Sequence, residues 1–584
     1  TIPAGVRFEK GALEGIADFK TLVLEEKCVT DRAGEDFPLY QLFDDSLAAF
    51  NEKYFQLVNV KIKKGLAAEQ FRGWKKIRKV LIESGGGTEI PVSCFDGCES
   101  LEGVKVAGPL LGIERFAFRN CNMLKRLKTG GAEEDADVSL RQTQKIAENA
   151  FENCHSVRTI SFTLKSVSDG AFRGCDGAET VKVWLDEPEK WMGRRICSVF
   201  AEEKDFGAAY PNLKNVEAEN VQILPSGLFS GCKNVRQIVC NGRTEQLGPA
   251  AFQGCSMLET LRLDFTGKEL PAHCFEDCGA LSGAMRFENV EKICEAAFKN
   301  CGRITEIVFP SQVNVLGEEC FMNCKNLHSL QMEFTGTELP ANCFAQCRAL
   351  SCPPELRNTE EIHAQAFAGC DAIVHLCIGA VKEGRLETLF QDSFQKIRSV
   401  EYVSPYIPDN FFKGMTALEK IVFRKRIVRI GNGAFYGTKS LKEVGYLEGA
   451  ESVGRYAFAH SGIEKIRFTD ALEQIGVGAL AGCNCLQTAE MPACFDRFGS
   501  LFDWKQGPGT KEIVQKHSDR EKKYYLPSSL RKVIIAGGQL SEGAFSGVGC
   551  DVEVRFAPQE IPNGSFFGFR GRRAIHVSRG RQGG

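Results

Sequence analysis

Between residues 206 and 390 the apolar positions recur in one fixed frame. Phenylalanine stands at Phe206, Phe229, Phe252, Phe275, Phe298, Phe321, Phe344, Phe367 and Phe390, each 23 residues after the last. Five residues before most of them lies an aliphatic residue, as at Leu224, Leu247, Leu270 and Ile293. Three residues after comes Cys, and six and nine after come further aliphatics such as Leu258 and Leu261. Apolar spacing of three around the Phe predicts a tight helical or 3-10 turn. The alternating tail, as in LRLDF (261–265), predicts a short strand with one buried face. One such repeat cannot bury its own apolar edge. Stacked copies turn each column into a continuous ladder, which is a solenoid.

The frame extends beyond the regular block. Upstream it fits Phe71, Phe95, Phe118, Phe151 and Phe172, with Leu13 and Phe50 as weaker starts; downstream it fits Phe412, Phe435, Phe458, Leu480, Phe545 and Phe566. The expectation is one array over 1–584, an elongated superhelix of about 22 repeats of short parallel strand plus turn. The period breaks near 25–49, 128–144, 184–205 and 496–527, and a basic tail occupies 570–584. Insertions in a solenoid become loops on one face, used for binding or simply solvated.

The columns LGPAAFQGCSMLETL (247–261) and RIGNGAFYGTKSLKEV (429–444) resemble the BspA-like leucine-rich repeats, the 23-residue Treponema pallidum type. YYLPSSLRKVIIAGGQLSEGAF (524–545) is also similar to a segment of that family. The resemblance covers nearly the whole chain and implies a leucine-rich-repeat solenoid with a strand-lined concave face. It also implies a surface or secreted setting, adhesins included. Met415 and Thr438 stand where the pattern has Cys, and the repeat at Phe458 is one residue short.

Composition changes the picture at one point, the cysteines. There are 25 of them, twelve in the slot three after the ladder residue and four, Cys94, Cys274, Cys320 and Cys343, just before it. NCFAQCRALSC (342–352) looks most like a reactive knot. Other repeats place Ala in the preceding slot, so thiols there serve as small buried hydrophobes. Zinc requires convergent ligand pairs in one site, whereas these CxxxC pairs recur at successive heights of the stack. Disulfides between neighbouring rungs remain the geometric alternative. An odd number of cysteines cannot pair completely within the chain, which points to a reducing, intracellular compartment. The alternative is a cell-surface or secreted protein whose upstream signal was removed.

Little else suggests chemistry. The eight histidines have no metal spacing, and ESGGGTEIP (83–91) and KQGPGTKE (505–512) lack the Lys-Ser/Thr ending of a phosphate loop. No catalytic, cofactor-binding or metal site is expected, and no enzyme. Net charge is -2, which offers no global field for nucleic acid, and no transmembrane segment is expected. Two basic clusters stand apart, the tail and FRKRIVRI (423–430) with Arg424, Lys425, Arg426 and Arg429. The outward strand positions form the candidate interaction surface: Lys105, Lys128, Lys182, Glu217, Glu219, Arg262, Asp264, Gln331, Glu333 and Arg467. Their alternating signs suit a mixed protein–protein interface. The leading expectation is a non-enzymatic interaction module or scaffold, a subunit of a larger assembly with protein partners and no nucleic acid. The alternative is a cell-surface adhesin of BspA-like type.

Overall fold

The computed structural model describes residues 1–16, 19–26, 38–83, 86–130, 136–187, 193–200, 206–379, 381, 386–445, 447–517, 520–555, 562, 564–569 and 573–575. Most of the acidic run AEEDAD (132–137) and of the basic tail lies outside these residues. The chain forms a parallel-strand solenoid of about 20 turns with little helix. It divides into two compact units, each described by itself. The first comprises Thr1–Gly283, Phe287–Asn289 and Ala296–Arg303, and the second Ala284–Arg286, Val290–Glu295 and Ile304–Gly584.

The first unit carries an eleven-stranded parallel sheet in sequence order. Its strands are β1 (Thr21–Leu24), β2 (Asn59–Ile62), β3 (Lys79–Ile82), β4 (Gly103–Val106), β5 (Arg126–Thr129) and β6 (Val138–Leu140). The sheet continues with β7 (Thr159–Thr163), β8 (Thr180–Trp184), β9 (Asn215–Glu219), β10 (Gln237–Thr244) and β11 (Thr260–Phe265). Val80, Val104 and Leu127 point into the core between more exposed neighbours, whereas β6 and β7 are buried on both faces, Ser139 and Ser161 included. The segment 128–144 breaks the period, which predicts a loop there. It instead supplies β6, which pairs with β5 on one side and β7 on the other.

Opposite the strands run the phenylalanines. Successive rings stack nearly parallel: Phe71–Phe95 at 5.4 Å, Phe118–Phe151 at 5.2 Å and Phe252–Phe275 at 5.2 Å between centroids. In the second unit Phe321–Phe344 (5.3 Å), Phe367–Phe390 (4.8 Å) and Phe435–Phe458 (5.1 Å) repeat the contact. Each burial contributes about 1.5–3 kcal/mol, and each stack adds about 0.5–1.5 kcal/mol.

The turn that presents the Phe is tight, with backbone bonds such as Cys98 N–H to the Phe95 carbonyl at 3.1 Å. Two left-handed residues flank it at Phe−2 and Phe+2. The second is Gly97, Gly174, Gly254 or Gly437 in some rungs and Asn120, Asn153, Asn300 or Asn323 in others, with φ between 60° and 75°. The small or Asn-rich column two after the Phe thus follows from the αL penalty on ordinary side chains. Every second N–H of the turn is freed to bond the next rung. Ser93 donates to Arg115, Phe95 to Ala117 and Gly97 to Arg119, at 3.1, 2.9 and 2.8 Å.

Two placements differ from the sequence frame. Phe206 is not a ladder residue: it opens the short helix α1 (Phe206–Ala209) and packs on Phe200 and Tyr210. Phe200 takes the rung, because the Phe172 N–H bonds the Val199 carbonyl and the two rings lie 5.9 Å apart. The 23-residue spacing from Phe206 to Phe229 is therefore coincidental. The segment 496–527 is also more than a loop. It contains the 3-10 turn Phe498–Leu501 and an antiparallel hairpin of Thr510–His517 with Arg520–Pro527. Gln515 on this hairpin is fully buried, donating to the Ala544 and Ser546 carbonyls and accepting from Gly499 N–H. Phe498 bridges to Phe545 at 5.5 Å and Phe545 stacks on Phe566, so the aromatic ladder resumes past the break.

Two stability predictions follow from this packing. Phe344→Ala should destabilise its rung by about 3–5 kcal/mol, against about 1 kcal/mol for Cys343→Ala. Native-state hydrogen exchange at the Phe321 and Phe344 amides reads the difference. Gly254→Ala has room, since its new Cβ would meet no atom nearer than 3.8 Å. At φ 72° it should still cost about 1–2 kcal/mol.

Candidate functional site

Cys98, Cys121, Cys255 and Cys347 each direct the thiol to the Phe carbonyl of the preceding rung, Phe71, Phe95, Phe229 and Phe321, at 3.0, 3.1, 3.0 and 3.0 Å. Those carbonyls already accept an N–H within their own rung, so the thiol fills the second lone pair. The slot is therefore more than a small apolar space: it holds a weak donor at a buried acceptor. Where Thr438 replaces Cys, its hydroxyl turns to its own rung's Phe435 carbonyl at 2.8 Å.

In NCFAQCRALSC (342–352), Cys343 sits beside Cys320 of the neighbouring rung with 3.2 Å between sulfurs, both as thiols. Among the described residues every cysteine is a free thiol. Burial disfavours the thiolate and pushes Cys94, Cys98, Cys274 and Cys343 up, and Cys240 and Cys483 up to about 12. No group of three or more His, Cys, Asp or Glu among the described residues is placed to hold a metal ion.

The outward strand positions form two separate sets. In the first unit β2, β3, β4 and β5 place Lys61, Leu81, Lys105 and Lys128 in one register row, and Asn59, Lys79, Gly103 and Arg126 in the row beside it. Further along, Lys182 on β8 pairs with Glu217 on β9 at 3.0 Å. Glu219 accepts from Asn241 at 2.7 Å. Arg262 and Asp264 are exposed on β11, two residues apart on the same side.

In the second unit Ile304–Val313 pairs with Ser329–Phe334, where Gln331 donates to Glu306 and Glu333 accepts from Gln312, both at 2.9 Å. Arg467 bonds Glu490 at 3.0 Å, and Arg555 joins Glu490 to Glu553. Lys532 completes this network, which holds the Glu553 carboxyl down at about 2. Of the basic cluster, Arg424 is committed to Glu401 at 2.8 Å, while Lys425, Arg426 and Arg429 are exposed.

A strand-lined face with columns set by a 23-residue frame describes a leucine-rich repeat. Residues 134–186, 204–328, 291–404 and 405–502 match the family described as "BspA type Leucine rich repeat region (6 copies)", more than half the chain. The chain belongs to the BspA-type leucine-rich repeat family. No curated protein matches it in sequence.

Among solved structures, a Bacteroides ovatus leucine-rich repeat protein is 18% identical, covering 83% of this chain and 92% of its own, with TM-score 0.31. A leucine-rich cell surface protein of Faecalibacterium prausnitzii is 18% identical, with 70% and 89% coverage and TM-score 0.20. The Treponema pallidum leucine-rich repeat protein is 22% identical over 35% of this chain and 72% of its own, at TM-score 0.18.

In this BspA-type array no described helix is long and apolar enough to cross a membrane. The frame located Lys105 and Lys128 but missed their neighbours Lys61, Lys79 and Arg126. The signal was present in the columns eight and ten after each Phe, which carry Lys79 and Leu81, Gly103 and Lys105, Arg126 and Lys128.

The thiol geometry is testable by labelling. A thiol reagent applied to native protein should modify the exposed Cys352 and Cys485 first. Buried Cys98, Cys121 and Cys347 should react only after denaturation, by peptide mapping. Native-rate labelling of the buried column would contradict the burial described.

Proposed function

We propose that this chain is a non-enzymatic protein–protein interaction module or structural scaffold that works through its strand-lined face. One observation carries the reading. The eleven-stranded sheet of the first unit sends polar side chains of mixed sign outward from successive parallel strands, over a core whose aromatic and thiol groups are spent on stacking. Such a surface is rigid and prepaid in entropy, which favours binding of a partner over catalysis. The perturbed groups inside include thiols and the tyrosines Tyr210 and Tyr402, raised by burial, the opposite of a nucleophile's requirement.

Crosslinking in extracts of the source cell tests the proposal. Lysines on the strand face, Lys105 and Lys182, should link to a protein partner more often than turn-side Lys75 and Lys439. Lys182→Glu opposes Glu217 at a half-buried pair and should cost under about 1 kcal/mol of stability. It should nonetheless lower crosslinking of a partner seated across β8 and β9. Crosslinks confined to the turn side, or an inert monomer, would sink the proposal.

A further inference from the structure

We infer that the stretch of the face built by β2 to β5 binds a short acidic segment of a partner protein, an inference that rests on the interaction-module reading above. The two rows there are basic, and among the described residues four of their five cations have no carboxylate partner. Lys105 on β4 and Lys128 on β5 are register partners, and neither has a carboxylate within ion-pair distance among the described residues. Lys79 and Arg126 are likewise exposed, with no ion-pair partner among the described residues, on either side of Gly103. Lys61 alone is answered, by Glu83 at 2.8 Å.

Like charges directly across neighbouring strands are destabilising. Elsewhere Lys182 faces Glu217 and Arg467 faces Glu490, and where Glu338 and Glu361 are register partners, His363 bonds Glu338 at 2.8 Å. The chain's net charge of -2 makes the uncompensated run a local feature and no by-product of a basic protein.

Shape supports the same conclusion. Gly103 has no side chain and Leu81 is half-buried, so the charged ends surround a low, partly apolar floor. The groove measures about 680 Å³. A larger depression of about 930 Å³ lies on the turn side, but there Asp96 already receives Arg119 through two bonds, at 3.0 and 2.6 Å. The basic stretch spans four strands, roughly 15 Å, or four to five residues of extended peptide. It ends where Ser139 and Ser161 take over the row. Among the described residues its lining contains no aromatic side chain to supply the base-stacking surface of a single-strand binder. A peptide with carboxylates flanking one aliphatic residue matches both the lysine ends and the floor.

Fluorescence anisotropy on the full chain provides the test. The probes are a short labelled Glu-rich peptide with one Leu, its Gln counterpart, a single-stranded oligonucleotide and a sulfated polysaccharide. The Glu peptide should bind, more weakly as salt rises, and the Gln peptide should not. Lys105→Glu with Lys128→Glu should weaken binding about tenfold or more. Gly103→Glu should do the same while folding normally, since its Cβ would meet Arg126 only at ordinary contact, 3.7 Å from the carbonyl oxygen. Lys425→Glu with Arg426→Glu, in the second unit, should change nothing.

The inference is overturned if the Glu peptide does not bind, if the second-unit pair weakens it equally, or if oligonucleotide or polysaccharide binds more tightly through the same lysines. Should the peptide fail while partner crosslinks still map to other strands of the face, this inference falls and the broader reading stands.

Discussion

A rung of this protein has almost no interior of its own: one Phe, one or two small thiols and a few aliphatics. It becomes stable only when its ring lies about 5 Å from the ring above and the ring below, as in Phe71–Phe95 or Phe344–Phe367. That contact fixes the axial step of the turn side, and the parallel ladder of strands fixes the step of the other. Between them the thiol column closes the last open acceptor, the Phe carbonyl. Free energy in such an array is close to a sum over neighbouring rungs. Damage to one ring is therefore felt locally first.

The same constraint divides the residues by duty. Side chains that point inward are taken up by stacking, and the residues beside the Phe are held in left-handed turns that send N–H groups to the next rung. What remains free to act is the outward row of each strand. Register turns those rows into lines across the sheet, so residues distant in sequence become immediate neighbours. Lys182 and Glu217 meet this way across an interrupted segment of chain, and so do Lys105 and Lys128. In the first case the pairing neutralises charge, and in the second it concentrates it. An ion pair at half exposure contributes little to stability, so neither arrangement is dictated by folding. That leaves the basic stretch as the part of the face best explained by a ligand.

The repeat frame was legible because stacking imposes one requirement at every rung, and identical requirements leave identical residues. Phe, Cys and the aliphatic columns could be read directly, as could the αL-permissive Gly and Asn two residues after the ring once its cause was known. The interruptions were not legible. Phe206 kept the spacing yet lost the rung to Phe200, because a local helix with Tyr210 buried it differently. The 496–527 segment reads as polar and turn-rich, but one buried Gln and a hairpin integrate it into the stack.

Periodicity alone therefore determined the solenoid and the identity of its core columns. It did so because nearest-neighbour packing writes itself into every repeat. Register across the breaks was decided only in three dimensions, where inserted segments choose which ring and which strand they meet. The charge pattern of the face depends on that register. A shift of one rung would change which lysines and carboxylates lie side by side, while every column of the sequence would read the same.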